Sequence, residues 1–255
     1  MNNKLTTILI LSFVLFFSCK TERNVDKVNL YIGTGGYVQA FPGDSVSYDS
    51  IRDNAATFPF GGLTFPGAVV PFGMVQLSPD CNTKGFGWSA GYHYSDSTII
   101  GFSHGHTSGN GMGFGHFLFM PGTGETQFEP GKADRSDAGY RSRFSHAREK
   151  VTPGYYSVIL DDSNVLAELT ATKHAGFHRY TFAEGESDHL LIDLVHGLGE
   201  WANPTDASFT IENDSTISMT RLTRNGITTF MTAVFSKPIA KAEFQVDGKN
   251  TSWLK

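Results

Sequence analysis

Cysteine is scarce: the chain has two in 255 residues. Cys19 stands directly behind an apolar leader, so Cys81 is alone in the body of the chain. It can form neither an intramolecular disulfide nor a cysteine-rich zinc site. Basic runs are missing, and the net charge is −5, which argues against a nucleic-acid partner. Behind the leader no stretch has the period of an amphipathic helix. The nucleophile elbow GxSxG is also missing, because FSHGH (102–106) has the wrong frame. GNGMGFG (109–115) is rich in glycine but no helix follows it, so it is not a phosphate-binding loop.

What is present points to a β protein. Glycine (28) and phenylalanine (21) are abundant, 40% of residues are hydrophobic and 18% are charged. That suits a folded chain with a substantial core and many turns. From residue 155 onward the sequence reads as a series of strands: YYSVIL (155–160), NVLAELTAT (164–172), GFHRYTF (176–182) and HLLIDLV (189–195), then SFTI (208–211), STISMT (215–220), GITTFMTAVF (226–235) and KAEFQV (241–246). Asp, Asn, Gly and Pro lie between them, so the fold class is all-β, a large antiparallel β-sandwich. In the second of these strands Val165, Ala167, Leu169 and Ala171 alternate with Leu166, Glu168, Thr170 and Thr172, the pattern of a half-buried strand.

The leader, LTTILILSFVLFFS (5–18), follows a single Lys4 and has fourteen residues. It is too short to span a membrane and suits the apolar part of a signal peptide. Ser18 followed by Cys19 resembles the lipobox of a bacterial lipoprotein. An ordinary secretory signal with an incidental cysteine is the weaker reading, since Cys19 sits right at the end of the apolar run. The expected organisation is a lipoprotein signal peptide over 1–18, a tether lipidated at Cys19 over 19–26, and one β-sandwich over 27–255. The chain would be exported and held at the bacterial cell envelope, with the membrane as a partner through the lipid.

Residues 87–116, GWSAGYHYSDSTIIGFSHGHTSGNGMGFGH, contain eight glycines, five aromatics and four of the nine histidines. His104 and His106 would point to one face if they lie on a strand, with His93 and His116 as possible companions. HxH alone is a weak metal signal, and imidazoles that bond loop backbone or a ligand fit equally. Trp88, on a segment rich in turn residues, reads either as a platform for the apolar face of a sugar or as a core residue under a loop. Tyr92 and Tyr94 would share a face, opposite His93. Asp80, Asp96 and Asp193 lie near apolar segments, but nothing singles out the carboxylate pair that a glycosidase needs. Asp96 capping a turn in YSDST and Asp193 satisfied within LIDLVH are the plainer readings.

Five blocks carry a family resemblance: NLYIGTGG (29–36), LTFPGAVVPFGMVQLSPD (63–80), GYHYSDSTIIGFSHGHTSGNG (91–111), PGYYSVIL with AELTATKHAGFHRYTF (153–182), and LLIDLVHG (190–197). In this order they resemble the N-terminal β-sandwich domain of glycoside hydrolase family 92, a family of calcium-dependent, exo-acting, inverting α-mannosidases. The resemblance implies a sandwich that packs on a C-terminal (α/α)6 barrel, with the active site between the two. It places the general acid, the general base and the calcium ligands in the barrel. No catalytic residue and no metal ligand is therefore expected in this chain, which would bind no calcium itself and be inactive alone. The implied partners are α-mannoside glycans and the barrel. The tryptophan of the GW…GYHYSD block maps to Trp88 as a sugar contact, with His104 and His106 in support. A stand-alone surface glycan-binding module, or a domain that docks on a separately encoded barrel, are the rival readings.

Two departures stand out. Residues 37–62, YVQAFPGDSVSYDSIRDNAATFPFGG, intervene where the family often runs from IGTGG almost directly into TFPGA. His116, in GFGHFLFMP, stands where the family often has an acid. Both bear on substrate specificity.

Overall fold

The computed structural model describes residues 23–35, 62–82, 90–108, 114–134, 139–184, 187–199, 202–246 and 249–254. Cys19, Trp88 and most of the 37–62 segment lie outside them. The described residues are almost wholly β, with antiparallel pairing throughout. The fifteen strands are β1 (Ser78–Asp80), β2 (Thr98–Ile99), β3 (Gly101–Ser103), β4 (Leu118–Thr123), β5 (Ser142–Arg143), β6 (Glu149–Thr152), β7 (Tyr155–Leu160), β8 (Val165–Ala171), β9 (Gly176–Thr181), β10 (Asp188–Asp193), β11 (Pro204–Asn213), β12 (Thr216–Thr223), β13 (Thr228–Val234), β14 (Lys241–Val246) and β15 (Lys249–Leu254).

Three sheets make the bulk. A central sheet has the order β1-β3-β4-β10, and β6-β7-β8-β9 and β11-β12-β13 are meanders. The central sheet is apolar on both sides, and β4 shows why. Leu118 and Met120 point into one cluster with Phe102, Leu191, Tyr156, Val158, Leu160, Val165, Ala167 and Leu169, which joins the central sheet to β7 and β8. Phe117 and Phe119 point the other way, into a second cluster with Leu190, Ile192, Ile217, Met219, Met231 and Ala233, which joins it to β12 and β13. A strand sandwiched in this way needs apolar side chains at consecutive positions, and FLFM (117–120) supplies them. In β8 the alternation read from the sequence is realised: Val165, Ala167, Leu169 and Ala171 are buried, on a face opposite Leu166, Glu168 and Thr170.

The loops at one end of these sheets converge. The Tyr94 N–H donates to the Thr34 carbonyl (2.9 Å), and Leu63 N–H to the Gly33 carbonyl (3.1 Å). The IGTGG, LTFPG and GYHYSD blocks, separate in sequence, are therefore stitched together by backbone. A Cβ on Gly35 would lie 2.7 Å from the Cβ of Tyr94, so only glycine permits this approach.

Candidate functional site: a loop cluster held by buried histidines

Asp80 closes β1 and is fully buried. Its two carboxylate oxygens accept from His106 Nε2 (2.8 Å) and His196 Nε2 (2.8 Å). Burial pushes the carboxyl up, but the charge and hydrogen bonds of His106 and His196 outweigh it and hold Asp80 well below the usual carboxylate range. The other nitrogen of His106 faces the Gln76 carbonyl at 2.8 Å. Both ring nitrogens of His106 thus meet acceptors, and both bonds form only if each carries a proton. Gly91 (φ +83°) lies against this centre, where a Cβ would come within 2.1 Å of Asp80 Oδ1. The carboxylate ties β1, the 104–106 loop and the segment after β10 into one unit.

A second group is electrically neutral. His104 Nδ1 donates to the Phe117 carbonyl (2.7 Å), so its Nε2 is an acceptor. His178 Nε2 donates to it at 2.9 Å, which leaves His178 Nδ1 to accept from the Tyr180 hydroxyl at 2.7 Å. The proton order is fixed along the chain Tyr180–His178–His104–Phe117. Burial lowers His104 to about 4 and His178 well below the ordinary imidazole value, which keeps both rings neutral. These residues, together with His116, line a wide cleft of about 3240 Å³.

A third group gathers around Glu149, whose side chain is fully buried. Tyr156 donates to it at 2.7 Å, Tyr92 at 3.1 Å and His146 Nδ1 at 2.7 Å, and Tyr31 bonds it too. Burial, then the Glu149 charge, push the Tyr31, Tyr92 and Tyr156 phenols up, so they stay O–H donors. His146 opens a 3-10 turn after Ser145, whose Oγ caps the Ala147 N–H. Its Nε2 donates to the Tyr94 carbonyl at 2.5 Å. The Glu149 hydrogen bond raises His146 above its ordinary value.

The residues read from the sequence are placed as follows. His104 and His106 do not share a strand face. β3 ends at Ser103, Gly105 turns the chain, and the two imidazoles go to different buried partners. Either can influence a ligand through the loops it holds, and His106, with no exposed side-chain surface, can do so only in that way. His93 is buried and bonded to Ser95 Oγ at 2.8 Å. Tyr92 and Tyr94 do share a side, both toward His146 and Glu149, although no strand runs there. Asp193 accepts from Tyr140 (2.7 Å) and from the N–H groups of Val195 (2.7 Å) and His196 (2.9 Å). His116 is buried beside Arg221, and its Nε2 has no hydrogen-bond partner among the described residues. Arg221, fully buried, donates to the Ala202 carbonyl (2.6 Å) and more weakly to Gly115 (3.4 Å). Burial lowers its guanidinium to about 10. Among the described residues no group of three or more His, Cys, Asp or Glu is arranged to hold a metal ion, so none is assigned to calcium.

His146, Glu149, His178, Tyr180, His196 and Arg221 were not singled out in the sequence. Three of them lie in blocks that carried the family resemblance, His178 and Tyr180 in AELTATKHAGFHRYTF and His196 in LLIDLVHG.

Residues 27–253 match the pattern of the glycosyl hydrolase family 92 N-terminal domain. The chain belongs to this family. A family GH92 alpha-mannosidase from Bacteroides thetaiotaomicron is similar in structure, with a TM-score of 0.76 and 36% identity over 91% of this chain and 28% of that one. The same enzyme in complex with mannoimidazole gives a TM-score of 0.74 at 36% identity, over 89% of this chain and 27% of that one. A family GH92 inverting mannosidase from Bacteroides thetaiotaomicron VPI-5482 gives a TM-score of 0.64 at 25% identity, over 91% of this chain and 29% of that one. An uncharacterized secreted glycosidase of Arthroderma benhamiae is 29% identical over 144 residues, which is 53% of this chain and 18% of that protein. The GH92 chain described here thus spans under a third of the length of these relatives.

Proposed function

We propose that this chain forms one wall of an α-mannoside pocket, as the N-terminal domain of an exo-acting, inverting α-mannosidase. The observation that carries the reading is the 36% identity, over 91% of the chain, to a GH92 alpha-mannosidase. That the same enzyme was solved with mannoimidazole supports a mannose-sized sugar as ligand. The wall is the loop cluster of residues 31–35, 62–65 and 90–96, and Trp88, two residues before it in the sequence, is the proposed sugar platform. His104 and His106 position its loops. Asp80, enclosed by two imidazoles, and Asp193, bonded three times, are unavailable as acid or base. Acid, base and calcium ligands belong to an (α/α)6 barrel that packs on the wall. Export is supported by the apolar run ahead of Cys19 and by a relative described as secreted, and Cys19 is the proposed lipid anchor.

The reading predicts binding without turnover. The 255-residue chain should release no aryl product from aryl α-mannosides, with or without calcium. Its affinity for mannobiose should fall about tenfold in Trp88→Ala, the effect of losing ~1.4 kcal/mol of stacking. Calcium-dependent hydrolysis by this chain, abolished in Trp88→Ala, would overturn the assignment of chemistry to the barrel.

A further inference from the structure

Tyr94 is unusual in this cluster, being both exposed (43%) and firmly held. Its N–H donates to Thr34 and its carbonyl accepts from His146. Its Cβ rests on Gly35. Its ring stacks on the His146 imidazole with centroids 4.0 Å apart and planes 5° apart. The nitrogens of that imidazole face two acceptors, Glu149 Oε2 at 2.7 Å and the Tyr94 carbonyl at 2.5 Å, so both bonds require a proton on each nitrogen. The stacked partner is then a cation, fixed in turn by a buried carboxylate that three tyrosines also bind.

Among the described residues no ring covers the face away from His146. Tyr31 lies 5.2 Å from Tyr94 and 6.5 Å from His146. With the 4.0 Å stacking distance these separations make a nearly right-angled triangle, with the right angle at Tyr94. Tyr31 therefore sits beside the ring edge, at the level of its plane, and covers neither face. Ser95 and Ser97, both exposed, and the partly buried Asp96 follow Tyr94 in the chain.

We propose that the exposed face of Tyr94 is a carbohydrate-stacking subsite, additional to the platform proposed at Trp88, on which the apolar face of a sugar ring lies. A flat, exposed aromatic surface is the chemistry that recognises the apolar face of a pyranose. The cation beneath and the backbone anchors immobilise the ring in advance, so binding does not have to order it. The identity of the sugar as mannose rests on the function proposed above; the stacking does not.

The test is calorimetric titration of the whole 255-residue chain with mannobiose, cellobiose and lactose, using wild type, Tyr94→Ala, Tyr94→Leu and Tyr94→Phe. Leucine keeps apolar bulk over His146 but removes the flat face, so it remains informative if alanine unfolds. Mannobiose should bind wild type and Tyr94→Phe within about threefold of each other, and the Ala and Leu variants about tenfold more weakly. Wild-type affinity in folded Ala and Leu variants would overturn the subsite and leave the mannoside reading standing. Tyr94-dependent binding of cellobiose or lactose in preference to mannobiose would support the subsite and overturn the mannoside reading. No binding of any of the three at about 10 mM, an affinity below ~3 kcal/mol, would overturn the subsite.

Discussion

Asp80→Asn is expected to destabilise the chain by about 3–5 kcal/mol, the cost of breaking a buried charge pair. For a domain of this size that is a fall in Tm of roughly 6–20 °C. The carboxylate has no exposed surface and takes an N–H from His106 on one oxygen and from His196 on the other. Asparagine keeps one acceptor and turns two N–H donors toward an imidazole that also donates. Thermal melts of the two chains check this. Asp162→Asn is the control, because its partner Arg143 is largely exposed and such pairs contribute about 0–1 kcal/mol. If Asp80→Asn melted together with that control, Asp80 would not be holding the loops.

Stability is expected to fall steeply in mild acid. Burial lowers His93, His104 and His116 to about 4, and lowers His178 well below its ordinary value. Their unfolded value is about 6.5. The sign follows from proton uptake: the unfolded chain takes up these protons first, so their contribution is intact above pH 6.5 and is lost as pH falls toward 4. The slope is about 1.4 kcal/mol per pH unit for each proton taken up, and less for groups that reach solvent. His146 acts in the opposite sense. Its raised value adds stability that is present below pH 6.5 and is lost as pH rises through its folded value, but it is one group against five, since burial lowers His189 too. Asp80 enters only below its unfolded value of 3.8. Tm measured from pH 7.5 to 4 should drop by roughly 10 °C or more, with a shallower profile in His178→Gln. An unchanged Tm across that range would mean that the imidazoles are not buried as neutral rings.

The fold was legible where one face of a strand is dry. β8 was read to within a residue, because alternation marks a half-buried strand, and β7 was read as the short run YYSVIL bounded by turn residues. β1 and β3 were not, since a strand covered on both faces has no alternation to show. β11 runs from Pro204 to Asn213 although only SFTI read as strand, because its long hairpin with β12 carries proline, aspartate and glutamate that propensity disfavours. β15 gave too few apolar positions to be seen, and its pairing with β14 defines it. The site was legible as a neighbourhood but not as a network. The glycines and rings of 87–116 announced a crowded loop. Asp80 meets His106 across 26 positions and His196 across 116, and no local pattern encodes such distances. Arg221 reads as an ordinary strand charge in TRLTR, yet among the described residues it is the largest side chain that is fully buried.

The central claim is that the loops of residues 31–35 and 90–96 face a mannoside. Amide chemical-shift mapping of the 255-residue chain during titration with mannobiose tests it most directly. The account predicts saturable shifts concentrated at Gly33–Gly35 and at Tyr92–Asp96, including His93, with β13 and β14 silent. Shifts centred on β13 and β14 would contradict it, because the sugar would then be held by a different face of the domain.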